Sequence, residues 1–404
     1  MQTQMTNPAR VLDKCENQDD SCIMAIFAKP LILFAVLNSA AALFALNAPD
    51  LYTKSDQNIT GDSRVLAYFL VPDGPGPHPA VLLLHDHGAE FRIGKEKSVE
   101  PWDVPANTAA LAREWVDKVY DGRFVGDELA ARGYVVLVYD VLNWSDRGGA
   151  GFEGQQSLAS NLLHLGMSFA GLIAYEDLRG AEFLASRPEV DKDRIAAMGH
   201  SMGAFRTWQV AAMSDHIAAG VSCCWMATNQ GLMVPGNNRT RGHSAFTMTH
   251  PGLFNDLDYP DVASLACPKP MLLFAGEQDA LFPVLSVRDA FEKMHQVWQS
   301  QGAGGNLVIR LVPVPHTFNA AMQDEAFTWL DQNLRPQIAS GEHPANGAEN
   351  VASNVMLGWL AGADFDGGSG DMHQIYLAAG SSPTDLPGAP TAATSSYGRG
   401  NELK

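Results

Sequence analysis

Short apolar runs alternate with longer stretches of helical periodicity through most of the chain. The apolar runs predict buried strands, and they cover residues 64–72, 79–85, 134–139, 195–198, 218–225, 270–275 and 307–312. Helical patterns lie between them, at residues 125–132, 160–186, 284–301 and 319–334 and from about residue 204. This alternation predicts an α/β fold with a mostly parallel sheet and helices on both faces.

Two segments interrupt the alternation. Residues 89–119 follow an early strand, and we expect a long loop that forms a pocket wall, because loops at the carboxyl ends of strands surround the active site in open α/β sheets. The basic residues of this loop face either an anionic part of a ligand or the solvent: Arg92, Lys95 and Lys97. Residues 226–266 show little periodicity, and we expect them to form a lid-like insertion.

A glycine-flanked serine follows the apolar run at residues 195–198, in the order Gly199-His200-Ser201-Met202-Gly203. Glycines two positions before and after a serine let a strand and a helix pack closely around it, as in the G-x-S-x-G elbow. A serine hydroxyl becomes a useful nucleophile when it is held next to a base and near N–H donors. The spacing predicts Ser201 as a nucleophile, and the alternative is a glycine-rich turn with an ordinary serine.

Two later strands each end in a side chain that could assist this serine. Asp279 follows the strand at 270–275, in the segment GEQDALFP, and His316 follows the strand at 307–312, in VPHTF. The chain order Ser201, Asp279, His316 is that of the α/β-hydrolases, and it differs from the orders on the trypsin-like and subtilisin-like folds. We predict these residues as the catalytic triad. The weaker candidates for acid and base are Glu277, His295, His243, His250, Asp256, Asp258 and Asp261.

These segments together resemble the α/β-hydrolase superfamily, in its branch of dienelactone-hydrolase-like and acetylxylan-esterase-like serine esterases. GHSMGA, GEQDALFP and VPHTF match the nucleophile, acid and base segments, and LLLHDHGA matches the oxyanion loop. The resemblance covers about residues 64–334. It implies that the backbone N–H groups of His87 and Met202 form the oxyanion hole and that no metal or organic cofactor is needed. A metal pair of His85 and His87 is the alternative, although no third ligand lies at a recognisable spacing.

The resemblance implies a serine carboxylic-ester hydrolase that acts on small acyl or methyl esters, possibly carbohydrate-linked ones. Trp144 and Trp225, with Trp102 and Trp208, form either a sugar-stacking wall or plain core, and Arg92 is a further candidate substrate contact. A peptidase or lactonase of the same fold is one alternative. A catalytically silent binding module is another, although the chain keeps all three triad candidates.

Composition and charge limit the classes of partner that the protein can bind. The chain has 404 residues, of which 46% are hydrophobic, and its formal net charge is −18. This length and composition suffice for one large core. The negative charge argues against nucleic acid and against a stable membrane partner, because like charges repel. We therefore expect a small-molecule or carbohydrate ester as the partner. Five cysteines do not make a disulfide framework, and Cys223 and Cys224 are expected to be buried.

The two ends of the chain lie outside the hydrolase pattern at residues 58–335. The extension at 1–57 contains a lysine and then an apolar run at 31–46, which is typical of an export signal, with a packed N-terminal helix as the alternative. Export would make the protein secreted or periplasmic, and the alternative is a cytoplasmic protein. Residues 336–404 are a low-complexity tail in which only 351–360 could form a helix, and 380–404 are expected to be disordered.

Overall fold

A mixed sheet of seven strands forms the centre of the first of two units. The first unit ends at residue 334 of the chain. The computed structural model describes residues 65–73, 76–334, 340–343 and 358–360. The seven strands are β1 (Ala67–Leu70), β2 (His78–Leu84), β3 (Val135–Tyr139), β4 (Val190–His200), β5 (Ala219–Cys223), β6 (Met271–Gly276) and β7 (Leu307–Val312). They lie in the order β1-β3-β2-β4-β5-β6-β7, with β1 antiparallel and the others parallel. The predicted α/β fold with a mostly parallel sheet is confirmed.

Helices connect the strands and cover both faces of the sheet. They are α1 (Ala106–Val119), α2 (Val125–Ala131), α3 (Gly151–His164), α4 (Phe169–Ala185), α5 (Met202–Met213), α6 (Asn229–Leu232), α7 (Asn238–Arg241), α8 (Tyr259–Ser264), α9 (Val284–Ser300) and α10 (Ala320–Leu334). One layer of core packs α4, α5 and α9 on one face, and a second layer packs α1, α2 and α10 on the other. Both faces are buried, so the strands read as continuous apolar runs rather than as alternating ones.

The strand β2 shows how this pattern works. Leu82 and Leu84 contribute to one core layer, whereas Val81 and Leu83 contribute to the other, since successive side chains point to opposite faces. The parallel register pairs Leu84 with Gly199, at the carboxyl ends of β2 and β4. Loops that follow β2, β4, β6 and β7 therefore gather along one edge of the sheet.

The segment at 89–119 differs from its prediction as a loop, because its second half is the helix α1. Ala112, Val116 and Val119 bury one stripe of this helix against the sheet. No side chain caps its first turn, which follows Pro105, so the usual polar start signal is missing.

The helical pattern at 160–186 is two helices rather than one. The first, α3, begins at Gly151, earlier than predicted, and it ends at His164. Gly166 follows at φ 74°, a left-handed conformation that ends helices, and Ser168 starts α4 by accepting a hydrogen bond from the N–H of Gly171. The two helices lie at 90° to each other. Among the described residues no single helix is long and apolar enough to cross a membrane, and this bent pair reaches that length and composition only when its two helices are taken together.

The second unit begins at residue 335. Its described part is an antiparallel pair of strands, β8 (Ser340–His343) and β9 (Gly358–Leu360). The helix predicted at 351–360 is wrong at residues 358–360, which form a strand. The predicted export segment at 31–46 and the tail at 380–404 lie outside the described residues.

Candidate active site

Ser201 lies at a sharp turn between β4 and α5. Its φ of 55° is a strained conformation for a residue with a side chain, and its N–H donates to the carbonyl of Cys223 at 2.8 Å. A Cβ on Gly203 would lie 1.9 Å from the carbonyl oxygen of Leu84, and a Cβ on Gly199 would lie 2.5 Å from the backbone of Gly203. Both glycines are therefore required for the turn to sit against β2.

The structure brings Ser201, His316 and Asp279 together in one hydrogen-bonded chain. The Nε2 atom of His316 lies 2.9 Å from Ser201 Oγ, and its Nδ1 atom lies 2.6 Å from Asp279 Oδ2. Asp279 is almost fully buried, and its other carboxylate oxygen accepts the N–H of Leu281 at 2.9 Å. This arrangement directs the unprotonated Nε2 of a neutral imidazole at the serine hydroxyl.

The pKa of His316 is raised from its usual value of 6.5. Burial acts to lower this pKa, but the hydrogen bond from Nδ1 to Asp279 and the negative charge of that carboxylate outweigh the burial. The negative charge of Asp279 therefore favours the protonated form of the His316 ring.

The peptide unit that joins Asp86 to His87 is held by two buried donors. The carbonyl oxygen of Asp86 accepts hydrogen bonds from His85 Nδ1 at 2.8 Å and from Lys97 Nζ at 3.2 Å. The Nε2 atom of His85 accepts the N–H of Val141 at 3.0 Å, so Nδ1 carries the proton of the neutral ring. A trans peptide is planar, so fixing this carbonyl also fixes the direction of the N–H of His87 on the opposite side.

Lys97 is the centre of a buried polar network beneath this loop. It is fully buried, and Nζ also donates to the carbonyl of His87 at 3.0 Å and approaches Asp86 Oδ1 at 3.4 Å. Tyr120 and Trp115 donate to Asp86 Oδ2 at 2.7 and 3.1 Å. Burial would raise the pKa of Asp86, but Lys97 and the Tyr120 hydrogen bond lower it to about 2. Asp86 is thus a carboxylate whose charge is compensated inside the protein.

The side chain of His87 is also fixed. Its Nδ1 atom accepts the N–H of Ala89 at 3.0 Å, so Nε2 carries the proton and donates to Gln155 Oε1 at 2.6 Å. Burial lowers the pKa of His87 to about 4, and this ring is therefore neutral at neutral pH. Both ring nitrogens of His85 and of His87 have hydrogen-bond partners, which disfavours the alternative of a metal pair.

Met202 is the first residue of α5, and the first N–H groups of a helix have no partner within the helix. The N–H of Met202 and that of His87 are the two predicted oxyanion donors. They come from the loops that follow β4 and β2, which are adjacent strands.

A cavity of about 360 Å³ opens above Ser201 and His316. Its wall comes from the loop after β2, from α1 and from the segment at 226–266. Phe152, Trp225 and Phe282 make part of this wall apolar.

Comparison with known proteins places this chain in a family. The model of the abhydrolase family matches residues 67–297. The chain belongs to this family. The expected α/β-hydrolase resemblance is thereby confirmed, and it extends over all but the last strand of the central sheet.

Individual proteins are similar to this abhydrolase over about two thirds or more of its length. YtaP of Bacillus subtilis (strain 168), which bears a hydrolase name, is 28% identical over 278 residues, which are 69% of this chain and 86% of YtaP. Among solved structures, methylesterase BT1017 is similar with a TM-score of 0.50 and 16% identity, over 78% of this chain and 68% of that chain. A glucuronoyl esterase from Solibacter usitatus has a TM-score of 0.46 and 14% identity, over 69% of this chain and 79% of that chain. At such identities the structural likeness shows the fold alone.

The predicted substrate contacts of this abhydrolase are only partly at the cavity. Trp225 lines it, whereas Trp144 is fully buried and donates from Nε1 to the carbonyl of His87 at 3.3 Å. Arg92 is largely exposed and forms a two-point ion pair with Glu90, away from the cavity wall. Trp144 is therefore part of the core beneath the loop that carries His87, and neither Trp144 nor Arg92 lines the cavity, which contradicts their prediction as substrate contacts.

Five of the seven weaker candidates for acid and base have separate structural roles. Glu277 pairs with Arg288, Asp258 caps the first turn of α8, and Asp261 pairs with Lys293. His250 bonds Gln209, and His295 bonds Gln299 on the exposed side of α9. His243 lines the cavity, and Asp256 lies on the adjoining segment without lining it.

Sequence reasoning missed the supporting roles of Lys97, His85 and Gln155. Lys97 is the clearest case, because a lysine in a polar stretch is normally exposed and nothing local indicates burial. Only the positions of Asp86 and Trp115 around it, which depend on the fold, explain why it is inside.

Proposed function

We propose that this abhydrolase is a serine carboxylic-ester hydrolase that acts through an acyl-enzyme. The observation that carries the proposal is the continuous hydrogen-bonded chain from Ser201 through His316 to Asp279 at the base of the cavity. The hydrolase name of YtaP agrees with this class of activity.

In the first half of the reaction, Ser201 Oγ attacks the ester carbonyl while His316 Nε2 takes the hydroxyl proton. Asp279 holds the imidazole in the tautomer that can accept this proton, and it stabilises the charged ring. His316 then gives the proton to the departing alcohol, which leaves an acyl group on Ser201. In the second half, a water loses its proton to His316 and attacks the acyl group, and the acid and free Ser201 are released.

The oxyanion that forms at each attack is assigned to the N–H groups of His87 and Met202. Such donors act best when their direction is set before the reaction, and loss of one costs roughly 10²–10³ in rate. His85 and Lys97, which bind the Asp86 carbonyl, are the positioning residues for the His87 N–H.

The proposed substrates are small acyl or methyl esters, including carbohydrate-linked ones. A cavity of about 360 Å³ with aromatic side chains in its wall suits a ligand of that size. Trp225 is the proposed aromatic contact.

Turnover of 4-nitrophenyl acetate by the native protein and by Ser201→Ala tests the proposal. We expect the substitution to lower kcat by at least about a thousandfold, because the nucleophile is lost. Ser300→Ala, at the exposed end of α9, is the control and should leave turnover unchanged.

Labelling with a fluorophosphonate, followed by peptide mapping, identifies the nucleophile directly. We expect the label on the peptide that contains Ser201. A label on another residue would overturn the assignment, and inert native protein across a broad panel of esters would favour the binding module instead.

A further inference from the structure

Two arginines of this chain whose guanidinium groups are buried each have a carboxylate partner. Arg206 donates from Nε and Nη2 to Asp177 at 3.0 and 2.6 Å, and Arg147 donates from both Nη atoms to Glu176 at 2.8 and 2.7 Å. This is expected, because a buried charge is costly unless it is paired and hydrogen-bonded.

Arg239, in the wall of the catalytic cavity, does not follow this pattern. Among the described residues it makes no salt bridge, although its side chain is largely buried. Its Nη1 atom donates to the carbonyls of Ala245 and Met248, and Nη2 donates to the hydroxyl of Tyr259. Its Nε atom is buried and has no hydrogen-bond partner within the described part of the chain.

The unused donors of Arg239 match one particular ligand. The guanidinium has five N–H donors but only three acceptors among the described residues, and none of these acceptors bonds Nε. Nε and Nη2 are also the pair through which Arg206 binds Asp177 and Arg92 binds Glu90 in this same chain. A guanidinium presents two parallel donors to a carboxylate in this way.

The backbone position of Arg239 is fixed independently of any ligand. Asn237 caps α7, and its Oδ1 atom accepts the N–H of Arg239 at 2.9 Å. The Nδ2 atom of Asn237 donates to the carbonyl of Leu281 at 2.9 Å, which lies just beyond the Asp279 turn. Asn237 thereby ties the arginine to the loop that carries the triad acid.

The cavity is positive in a chain that is strongly negative. Arg239 and Lys118 contribute to its lining, and Asp86 is the one carboxylate in the described lining. The charge of Asp86 is already compensated by Lys97. Burial lowers the pKa of Arg239, and no carboxylate counteracts this, as expected for a cation without a partner. A buried cation in this state favours an anionic ligand.

We propose that the ester substrate carries a second, ionised carboxyl group, which Arg239 binds through Nε and Nη2 while Lys118 attracts it at the mouth of the cavity. This inference rests on the proposed esterase function. Nε is buried in the structure, so the proposal includes the uncovering of this edge of the guanidinium when the carboxylate binds. Arg239 is thus a specificity-determining residue for the half-esters of dicarboxylic acids and related acidic esters.

Matched pairs of substrates test this proposal. Monomethyl esters of succinic, glutaric and adipic acid are compared with the corresponding methyl esters in which a carboxamide replaces the free carboxylate, with acid release followed in a pH-stat. The native protein should prefer the carboxylate member of at least one pair. In Arg239→Gln, the ratio of kcat/KM for carboxylate over carboxamide should fall by roughly 10–100-fold, the value of a charge-assisted pair of hydrogen bonds.

Arg241→Gln is the matched control. It removes the same charge from the same short helix, but Arg241 is exposed, so both the ratio and the basal activity should stay within about twofold of the native values. If Arg239→Gln does not fold, Arg239→Lys keeps the charge without the two parallel donors and should lower the ratio by a smaller factor. Equal hydrolysis of both members of every pair by the native protein would overturn the proposal, as would equal losses on both members in the Arg239 variants.

A binding measurement separates this inference from the esterase proposal. Calorimetric titration of Ser201→Ala with succinate, glutarate and adipate, and with the corresponding monoamides, requires no turnover. We expect at least one dicarboxylate to bind tenfold more tightly than its monoamide and to lose this advantage when Arg239→Gln is added. Such a result with no ester turnover would contradict the esterase function alone, whereas equal binding of every pair would contradict the carboxylate site.

Discussion

Replacement of Lys97 by methionine tests how the loop that carries His87 is held. Methionine keeps most of the buried stem and removes the ammonium, which leaves Asp86 with the Tyr120 and Trp115 hydrogen bonds but without a cation. The pKa of Asp86 falls from 3.8 to about 2 in the folded protein, with Lys97 as the main lowering influence against burial. The loss of one partner of a buried pair generally costs about 3–5 kcal/mol. Part of this cost is offset, because burial disfavours the charged form of Lys97 and lowers the pKa of that side chain. We expect Lys97→Met to lower the free energy of unfolding by about 2–4 kcal/mol at pH 7.

The loss of unfolding free energy in Lys97→Met should depend on pH, because it arises from the charge of Asp86. The folded pKa of Asp86 lies below the unfolded value, so its contribution is present above about pH 4 and is lost as the pH falls toward 2. The difference between native protein and Lys97→Met, measured by urea unfolding, should therefore shrink in acid. Activity on a neutral ester should fall by about tenfold or more in kcat, because the Asp86 carbonyl loses one of its two donors.

Two companion variants make this test decisive. Lys192→Met removes a lysine whose ion pair with Asp193 is exposed, and its cost should stay below about 0.5 kcal/mol. Adding Asp86→Asn to Lys97→Met removes the uncompensated carboxylate and should restore part of the stability. The reasoning is refuted if Lys97→Met unfolds at the same urea concentration as Lys192→Met and retains native kcat.

Two further predictions concern the serine turn and the base. Gly203→Ala places a Cβ 1.9 Å from the Leu84 carbonyl, so we expect a loss of about 3 kcal/mol or more in urea unfolding, whereas Gly305→Ala, in open space, should change stability by under about 0.5 kcal/mol. Equal effects would show that the turn can relax. The raised pKa of His316 places the acid limb of kcat/KM above pH 6.5, since only the neutral ring accepts a proton, and Asp279→Asn should move this limb to lower pH. A limb that stays in place would exclude Asp279 as its cause.

The strands and the triad were predictable because their signals are local. The apolar run at 307–312 is β7 without a change of bounds, and His316 was singled out because it falls just beyond that strand. Parallel strands carry their carboxyl ends to one edge, so the sequence positions of Ser201 and Asp279 translate directly into proximity. The periodicity of the chain and the geometry of a parallel sheet together determine where these three residues lie.

The surroundings of the triad were not predictable, because they depend on partners far away in the chain. Lys95 was expected at a surface or facing a ligand, but its Nζ donates to Glu96, Asp140 and Asp146, the last two 45 and 51 residues away. Trp144 was a candidate ligand contact, yet it is fully buried beneath the His87 loop. Nothing in a single sequence indicates that a charged or aromatic residue finds such partners.

The residues of the candidate site therefore fall into two groups, those placed by the sheet and those placed by the segment at 226–266. Ser201, Asp279 and His316 each lie just beyond the end of a strand, so the sheet brings them together. Arg239 belongs instead to the segment at 226–266, which contributes wall to the cavity and supplies none of the triad. A change in this segment therefore changes the charge and shape of the cavity, and Asn237 joins the segment to the loop that carries Asp279. If the carboxylate proposal holds, Arg239→Gln should change which esters are hydrolysed while fluorophosphonate labelling of Ser201 proceeds at close to its native rate, because that probe carries no carboxylate.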